Sequence, residues 1–300
     1  MSTINEKTHI ANPIYDVVFR YLMEDNKVAK LVLSAILGVE VVELTFAPTE
    51  QSRKIEDKSF AITITRMDFS ARIREEDGKE RSIIIELQKA KFAFQIMRFR
   101  RYLGRQYANP ENVTNAGEAL PIYPIYILGE AFSTEKIPVI KIKRSYIDVA
   151  TQEKITANYP FIEALTHNAV VIQIPHLKGQ RRTKLEQFLA VFDQTNKADK
   201  SGHILTIDEE DYPEKYRPVI RRLIKAYANP KMEEDMNMED EFINEFNKLT
   251  ERIEMEREEK EKLKKSNHQA IKKLASTGMA ITEIAQMFDK TEEEIKAILS

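Results

Sequence analysis

Residues 68–88 read DFSARIREEDGKERSIIIELQ, and the punctuation of that stretch decides the fold. Two apolar runs, residues 61–73 and 81–87, flank the turn signal Glu76-Asp77-Gly78. A three-residue hairpin loop needs a third residue that tolerates positive φ, and Gly78 supplies it. Glu75 then pairs with Lys79, and counting outward at constant register sets Asp68 opposite Glu86. Opposed side chains on an antiparallel pair share a face with Cβ atoms roughly 5 Å apart, and Gln88, two residues on, points the same way. Two carboxylates and an amide converge beside Ile83, Ile84, Ile85 and Leu87, which read as a buried strand. Two unpaired carboxylates there face like-charge repulsion and a large desolvation cost. A divalent cation removes both. The bland alternative is a polar cross-strand cluster at a sheet edge.

The order Asp, then Glu-x-Gln at the end of the next strand, resembles the PD-(D/E)XK nuclease superfamily. More narrowly it is similar to the recombination-promoting nuclease and transposase-like branch, in which Gln commonly replaces the motif lysine. Three other stretches share that likeness. Tyr15-Asp16-Val17-Val18-Phe19-Arg20 resembles the branch's opening helix, Arg98-x-x-x-Tyr102 its helix after the motif, and residues 278–285 with 291–295 its small helical tail. The resemblance implies an α/β fold of restriction-endonuclease type, a mixed sheet flanked by helices. It implies Mg²⁺-dependent endonuclease hydrolysis of DNA phosphodiester bonds, with Mn²⁺ as a substitute, on mobile or foreign DNA in recombination or defence.

On that resemblance Asp68, Glu86 and Gln88 are the catalytic set, and Asp68, Glu86 and the Leu87 carbonyl are the metal ligands, since hard oxygen donors suit Mg²⁺. Gln88 stands where lysine-bearing relatives place an ammonium. Its amide both donates and accepts hydrogen bonds, so it can orient a water, but it brings no net charge. A different class of reading follows, a catalytically impaired nuclease fold acting as a DNA-binding or scaffold module. Asp16 is a candidate third acid or supporting partner. Arg98, Tyr102 and Arg105 fall at i, i+4 and i+7 on one helix face, and with Arg101 they can hold a DNA backbone through guanidinium forks. An internal role, Arg98 paired with Glu86 or Asp16 and Tyr102 in the core, fits the same residues. Lys141, Lys143, Arg144, Arg181 and Arg182 add basic character, with solvated surface charge the plainer explanation for each.

Composition limits the other classes. The chain has 300 residues, a formal net charge of −2 and no cysteine. Disulfides, thiolate-bound zinc and a cysteine nucleophile are excluded, and DNA contact has to come from a local basic patch. Five histidines carry no metal-ligand spacing; His167 and His176 flank an apolar strand and read as structural. No Gly-x-Ser-x-Gly elbow or Walker loop occurs. Residues 1–12 are polar and no apolar run nears the roughly 20 residues of a membrane span, so the expectation is a cytoplasmic protein without a membrane partner.

Along the chain, helical spacing covers residues 16–37 with a break near Glu24-Asp25-Asn26 and a stop at Gly38. Strands are expected over 39–46, 59–73, 122–128, 139–147 and 169–174, and helices over 92–107, 184–194 and 213–228. This nuclease-like domain spans residues 1–230. At Lys231 the composition turns to Glu and Lys, giving a charged helical arm over 231–265. Phe242, Phe246, Leu249 and Ile253 form a short coiled-coil stripe on it. Residues 266–300 form a small helix-turn-helix-like tail, with Thr291 and Glu294 as a capping box. Glu292, Glu293 and Glu294 open its last helix and would repel phosphate, so a protein partner or a homodimer fits arm and tail better than DNA reading, with a solvated arm and a simply packed three-helix tail the plainer alternatives.

Overall fold

The chain enters through β1 (Thr8–Ala11) and two helices, α1 (Asp16–Glu24) and α2 (Asn26–Leu37), divided at Asp25. Extended there, Asp25 accepts hydrogen bonds from the Lys27 and Val28 amides at 3.0 and 3.3 Å, which starts α2 afresh. Gly38, at φ 79°, ends it in the left-handed region. The computed structural model describes residues 7–46, 64–75, 77–90, 96–114, 116–157 and 159–299. Residues 59–63 of an expected strand, 92–95 of an expected helix and Glu76 of the turn lie outside the described residues.

After β2 (Glu40–Phe46) come β3 (Ile64–Arg74) and β4 (Glu80–Ala90), then α3 (Ile96–Ala108) and β5 (Ile122–Leu128). Next are β6 (Val139–Ile142), β7 (Tyr146–Ile147), β8 (Lys154–Ile155), α4 (Pro160–Leu165) and β9 (Ala169–Gln173). The described body closes with α5 (Lys184–Leu189), β10 (Ile204–Ile207) and α6 (Arg217–Tyr227), and α7 (Pro230–Ser276) follows.

Among the described residues the main sheet has six strands in the order β2-β3-β4-β5-β9-β6. β4, β5 and β9 run parallel and the other neighbours antiparallel, so the sheet is mixed. A parallel neighbour needs a crossover, and α3 lies in the one between β4 and β5. Period-two alternation sorts the side chains. Met67, Phe69, Ala71 and Ile73 of β3, Ile83, Ile85 and Leu87 of β4, and Ile125 and Ile127 of β5 share one face. They build the core with Val18, Phe19, Leu22, Leu33 and Ile36 of α1 and α2. Ile84 is buried as well, on the opposite face, as a central strand requires.

Four expectations are revised. The polar N-terminus contains β1, which pairs with β10 in register Thr8 to Ile207, and Ile10 and Ala11 are fully buried. The run 139–147 splits into β6 and β7, because Arg144 turns out to reach the Thr166 carbonyl at 2.7 Å and Glu163. Helix 184–194 stops at Leu189 and continues as 3-10 turns, with Asp193 accepting from the Thr195 amide at 3.0 Å. The α/β unit also passes the composition break, running to Asp240. Met232 and Met236 of α7 are buried in its core, and Tyr15 donates to Asp240 at 3.1 Å.

The second unit, Glu241–Ser300, holds the rest of α7 with α8 (Ile281–Met287) and α9 (Glu292–Leu299). Ile271, Ile284, Ala285 and Ile295 form its small core. The capping box is present: the Thr291 amide donates to Glu294 at 2.8 Å and the Glu294 amide to Thr291 Oγ1 at 3.2 Å. On α7, Leu249 and Ile253 are 39% and 40% exposed and Phe242 is partly buried; the Phe246 side chain lies outside the described residues. Among the described residues no helix is long and apolar enough to cross a membrane.

Candidate active site

The β3–β4 hairpin places the site. The Glu75 amide donates to the Lys79 carbonyl at 2.9 Å and the Gly78 amide to the Glu75 carbonyl at 3.0 Å, with Gly78 at φ 82°. From that closure the register runs without a shift to Asp68 opposite Glu86 and Arg66 opposite Gln88. Counting alternate pairs outward from Glu75 and Lys79 makes Asp68 and Glu86 a non-hydrogen-bonded pair, the kind with Cα atoms only about 4.5 Å apart. The Ile84 amide donates to Pro121 on the other side, at 2.9 Å, which fits that alternation.

These side chains leave the sheet opposite the main core, on the face where Phe99 of α3 packs with Ala90 and Leu128. Asp68 is 3% exposed, and Glu86 and Gln88 are 0% exposed. β4 is third of six strands, so the cluster occupies the sheet's interior and not an edge. Gln88 Nε2 donates to Glu86 Oε1 at 2.9 Å, which fixes the amide's orientation. Its Oε1 is buried and accepts no hydrogen bond among the described residues. Tyr126 of β5 is the register partner of Gln88 and shares this face. Burial first, and then the negative charge of Glu86, pushes its phenol up to about 12.

The structure does not bring Asp16 here. Lys89 follows Gln88 and so points to the other face, where its buried ammonium binds Asp16 and the Ile14 carbonyl, the latter at 2.6 Å. The Asp16 amide in turn donates to the Glu239 carboxylate at 2.8 and 3.0 Å, an acid sitting at the start of α1. Burial first, and then Asp16's charge, raises the Glu239 carboxyl above its ordinary range. Asp16 is thus a link between β4, α1 and α7, and among the described residues no three acids or histidines gather in metal-binding range.

Leu87 turns its side chain into the main core, and its carbonyl lies on the edge of β4 that bonds β3. The ladder takes one of the two lone pairs there. Arg101 and Arg105 are exposed on α3, with the Arg105 guanidinium 5.9 Å from the centre of the half-buried Tyr102 ring. Arg98 is described through its backbone alone, so its side chain lies outside the described residues. Of the other cations, Lys141, Lys143 and Arg182 are exposed and Arg144 and Arg181 partly buried. Lys141 donates to the Leu37 carbonyl at 3.2 Å, Arg181 pairs with Asp193 at 3.2 Å and Arg182 with Glu186 at 2.7 Å. His167 meets the Tyr107 hydroxyl at 2.8 Å and His176 the Ser133 carbonyl at 3.0 Å, both structural contacts.

Two residues of this region escape a reading by motif. Lys89 had a signal, since an ionisable residue one place past Gln88 has to face the core and needs a buried partner. Tyr126 had a weaker one, its parity within the run 122–128. In comparisons with known proteins, no family model, no curated protein and no solved structure matches this chain.

Proposed function

We propose that the α/β unit is a divalent-metal-dependent DNA endonuclease of the PD-(D/E)XK type. The observation that carries the reading is a buried carboxylate pair, Asp68 and Glu86, sharing one sheet face with a glutamine whose carbonyl oxygen has no donor among the described residues. The donor set fits Mg²⁺, being two carboxylates with the remaining lone pair of the Leu87 carbonyl. When bound, the ion supplies charge to polarise a scissile phosphate and to lower the pKa of a coordinated water. Asp68 and Glu86 hold the negative charge that balances it. Gln88 Oε1 accepts a hydrogen bond from the attacking water and orients it, while Nε2 keeps Glu86 in place. Exposed Arg101 and Arg105, at the solvent side of α3, engage the DNA backbone.

The second reading, an impaired nuclease fold that binds DNA or serves as a scaffold, is favoured by one observation. The amide at the motif position is neutral and committed to Glu86 on one side. Nicking of supercoiled plasmid with Mg²⁺ by the wild-type protein, set against Asp68→Ala, separates the two. Metal-dependent nicking lost in the variant supports the enzyme; DNA binding without nicking in either supports the scaffold. Exposed Leu249 and Ile253 on α7 belong to the surface by which a second copy or another protein would join.

A further inference from the structure

Tyr126 stands between the buried site and the surface. As the register partner of Gln88 on the parallel neighbour β5, it leaves the sheet on the face of Asp68, Glu86 and Gln88, from a strand about 4.8 Å away. Its ring is fixed against Phe99 of α3, with centroids 5.3 Å apart and planes tilted by 42°. Glu86 and Gln88 are closed to solvent, whereas Tyr126 is only partly buried. Its hydroxyl makes no hydrogen bond among the described residues. A phenol carries its proton at neutral pH, so it can donate. Gln88 has already spent one N–H on Glu86. On this face Gln88 Oε1 accepts no hydrogen bond among the described residues, and Tyr126 brings a hydroxyl to the same face from the neighbouring strand.

We propose that Tyr126 is a further substrate-contacting residue, its hydroxyl donating a hydrogen bond to a non-bridging oxygen of a phosphodiester held against Asp68, Glu86 and Gln88. The proposal rests on the hydrolytic reading of that site. A neutral donor brings no net charge, but its hydrogen bond stabilises part of the negative charge that develops on the phosphate oxygens.

The test compares the full-length wild type with Tyr126→Phe, Phe99→Leu and Asp68→Ala for plasmid nicking in Mg²⁺ and in Mn²⁺, with DNA affinity and thermal unfolding alongside. Tyr126→Phe keeps the ring on Phe99 and removes only the hydroxyl. It should unfold at the wild-type temperature, bind DNA unchanged and turn over about tenfold or more slowly, as expected for losing a transition-state donor. Phe99→Leu loosens the same packing and keeps the hydroxyl, so its turnover should stay at the wild-type rate. Equal turnover of Tyr126→Phe and wild type overturns the role of Tyr126 and leaves the carboxylate site standing. An equal fall in Tyr126→Phe and Phe99→Leu, or unfolding of Tyr126→Phe, assigns Tyr126 to packing and also overturns it. An inert wild type, or an Asp68→Ala protein as active as wild type, sinks the carboxylate site and Tyr126 with it.

Discussion

Glu86 and Gln88 lie two residues apart on one strand, and the hydrogen bond between them decides what each substitution costs. Gln88→Leu leaves a buried carboxylate without that donor, a loss on the order of 1–3 kcal/mol in stability, and turnover should fall as well. Gln88→Lys returns an ammonium to the site, and turnover should hold or rise with little change in DNA affinity. Matching nicking rates for Gln88→Leu and wild type would remove Gln88 from the mechanism. On the far face, Glu239 makes a pH prediction. Its raised carboxyl binds a proton more tightly in the folded state than in the unfolded chain. The contribution of Glu239 to stability is therefore fully present below the ordinary Glu value of about 4.3 and is lost as pH rises through the raised value. Glu239→Gln does not titrate, so in melts across that range wild type should lose ground to it with rising pH; a gap that is flat or widens in favour of wild type contradicts this. Asp68 opposite Glu86 was legible from sequence because a three-residue turn fixes register locally. The partner of Asp16 was not, since Lys89 meets it through tertiary packing between β4 and α1.

The β3–β4 hairpin is the element on which the site depends, and Gly78 is where it can be tested. A Cβ there would meet nothing within 4 Å, so Gly78→Ala acts through its φ of 82° alone. The left-handed conformation costs an L-residue about 1–2 kcal/mol. Thermal melts should show that loss with the site chemistry retained, and an unchanged melt would mean that the turn relaxes without strain. Elements held by local rules were readable in advance: α2 between the Asp25 cap and Gly38, the hairpin, and the capping box of α9. Those held by distant partners were not. β1 is four residues long and its partner β10 lies beyond all six strands of the main sheet in sequence, which leaves no signal within either segment. The interruption between β6 and β7 depends on Arg144 finding Glu163 and Thr166, again a tertiary event.

Across the whole molecule, the change of composition at Lys231 and the end of the α/β unit at Asp240 do not coincide. Charge-rich sequence begins before packing stops, because Met232 and Met236 still reach the core at helical spacing. Beyond them, Glu239 caps α1, and Asp240 takes hydrogen bonds from Tyr15 and His203, the latter at 2.8 Å. A chain ending at residue 240 should fold and keep the site's chemistry. One ending at residue 230 loses two buried methionines, each worth roughly 2–5 kcal/mol if truncated to alanine, together with both acids. It should melt far lower or fail to fold. Equal melting temperatures for the two chains would show that the first turns of α7 add nothing to the body. Deleting residues 241–300 removes the acidic opening of α9, so DNA affinity should not weaken.

The central claim is that Asp68 and Glu86 form a metal-dependent hydrolytic site, and plasmid nicking in Mg²⁺ tests it most directly. Wild type should convert supercoiled plasmid to nicked or linear forms only when the ion is present, and Asp68→Ala and Glu86→Ala should do neither while unfolding cooperatively. Wild-type nicking that persists in EDTA, or in either folded variant at the wild-type rate, would contradict the account.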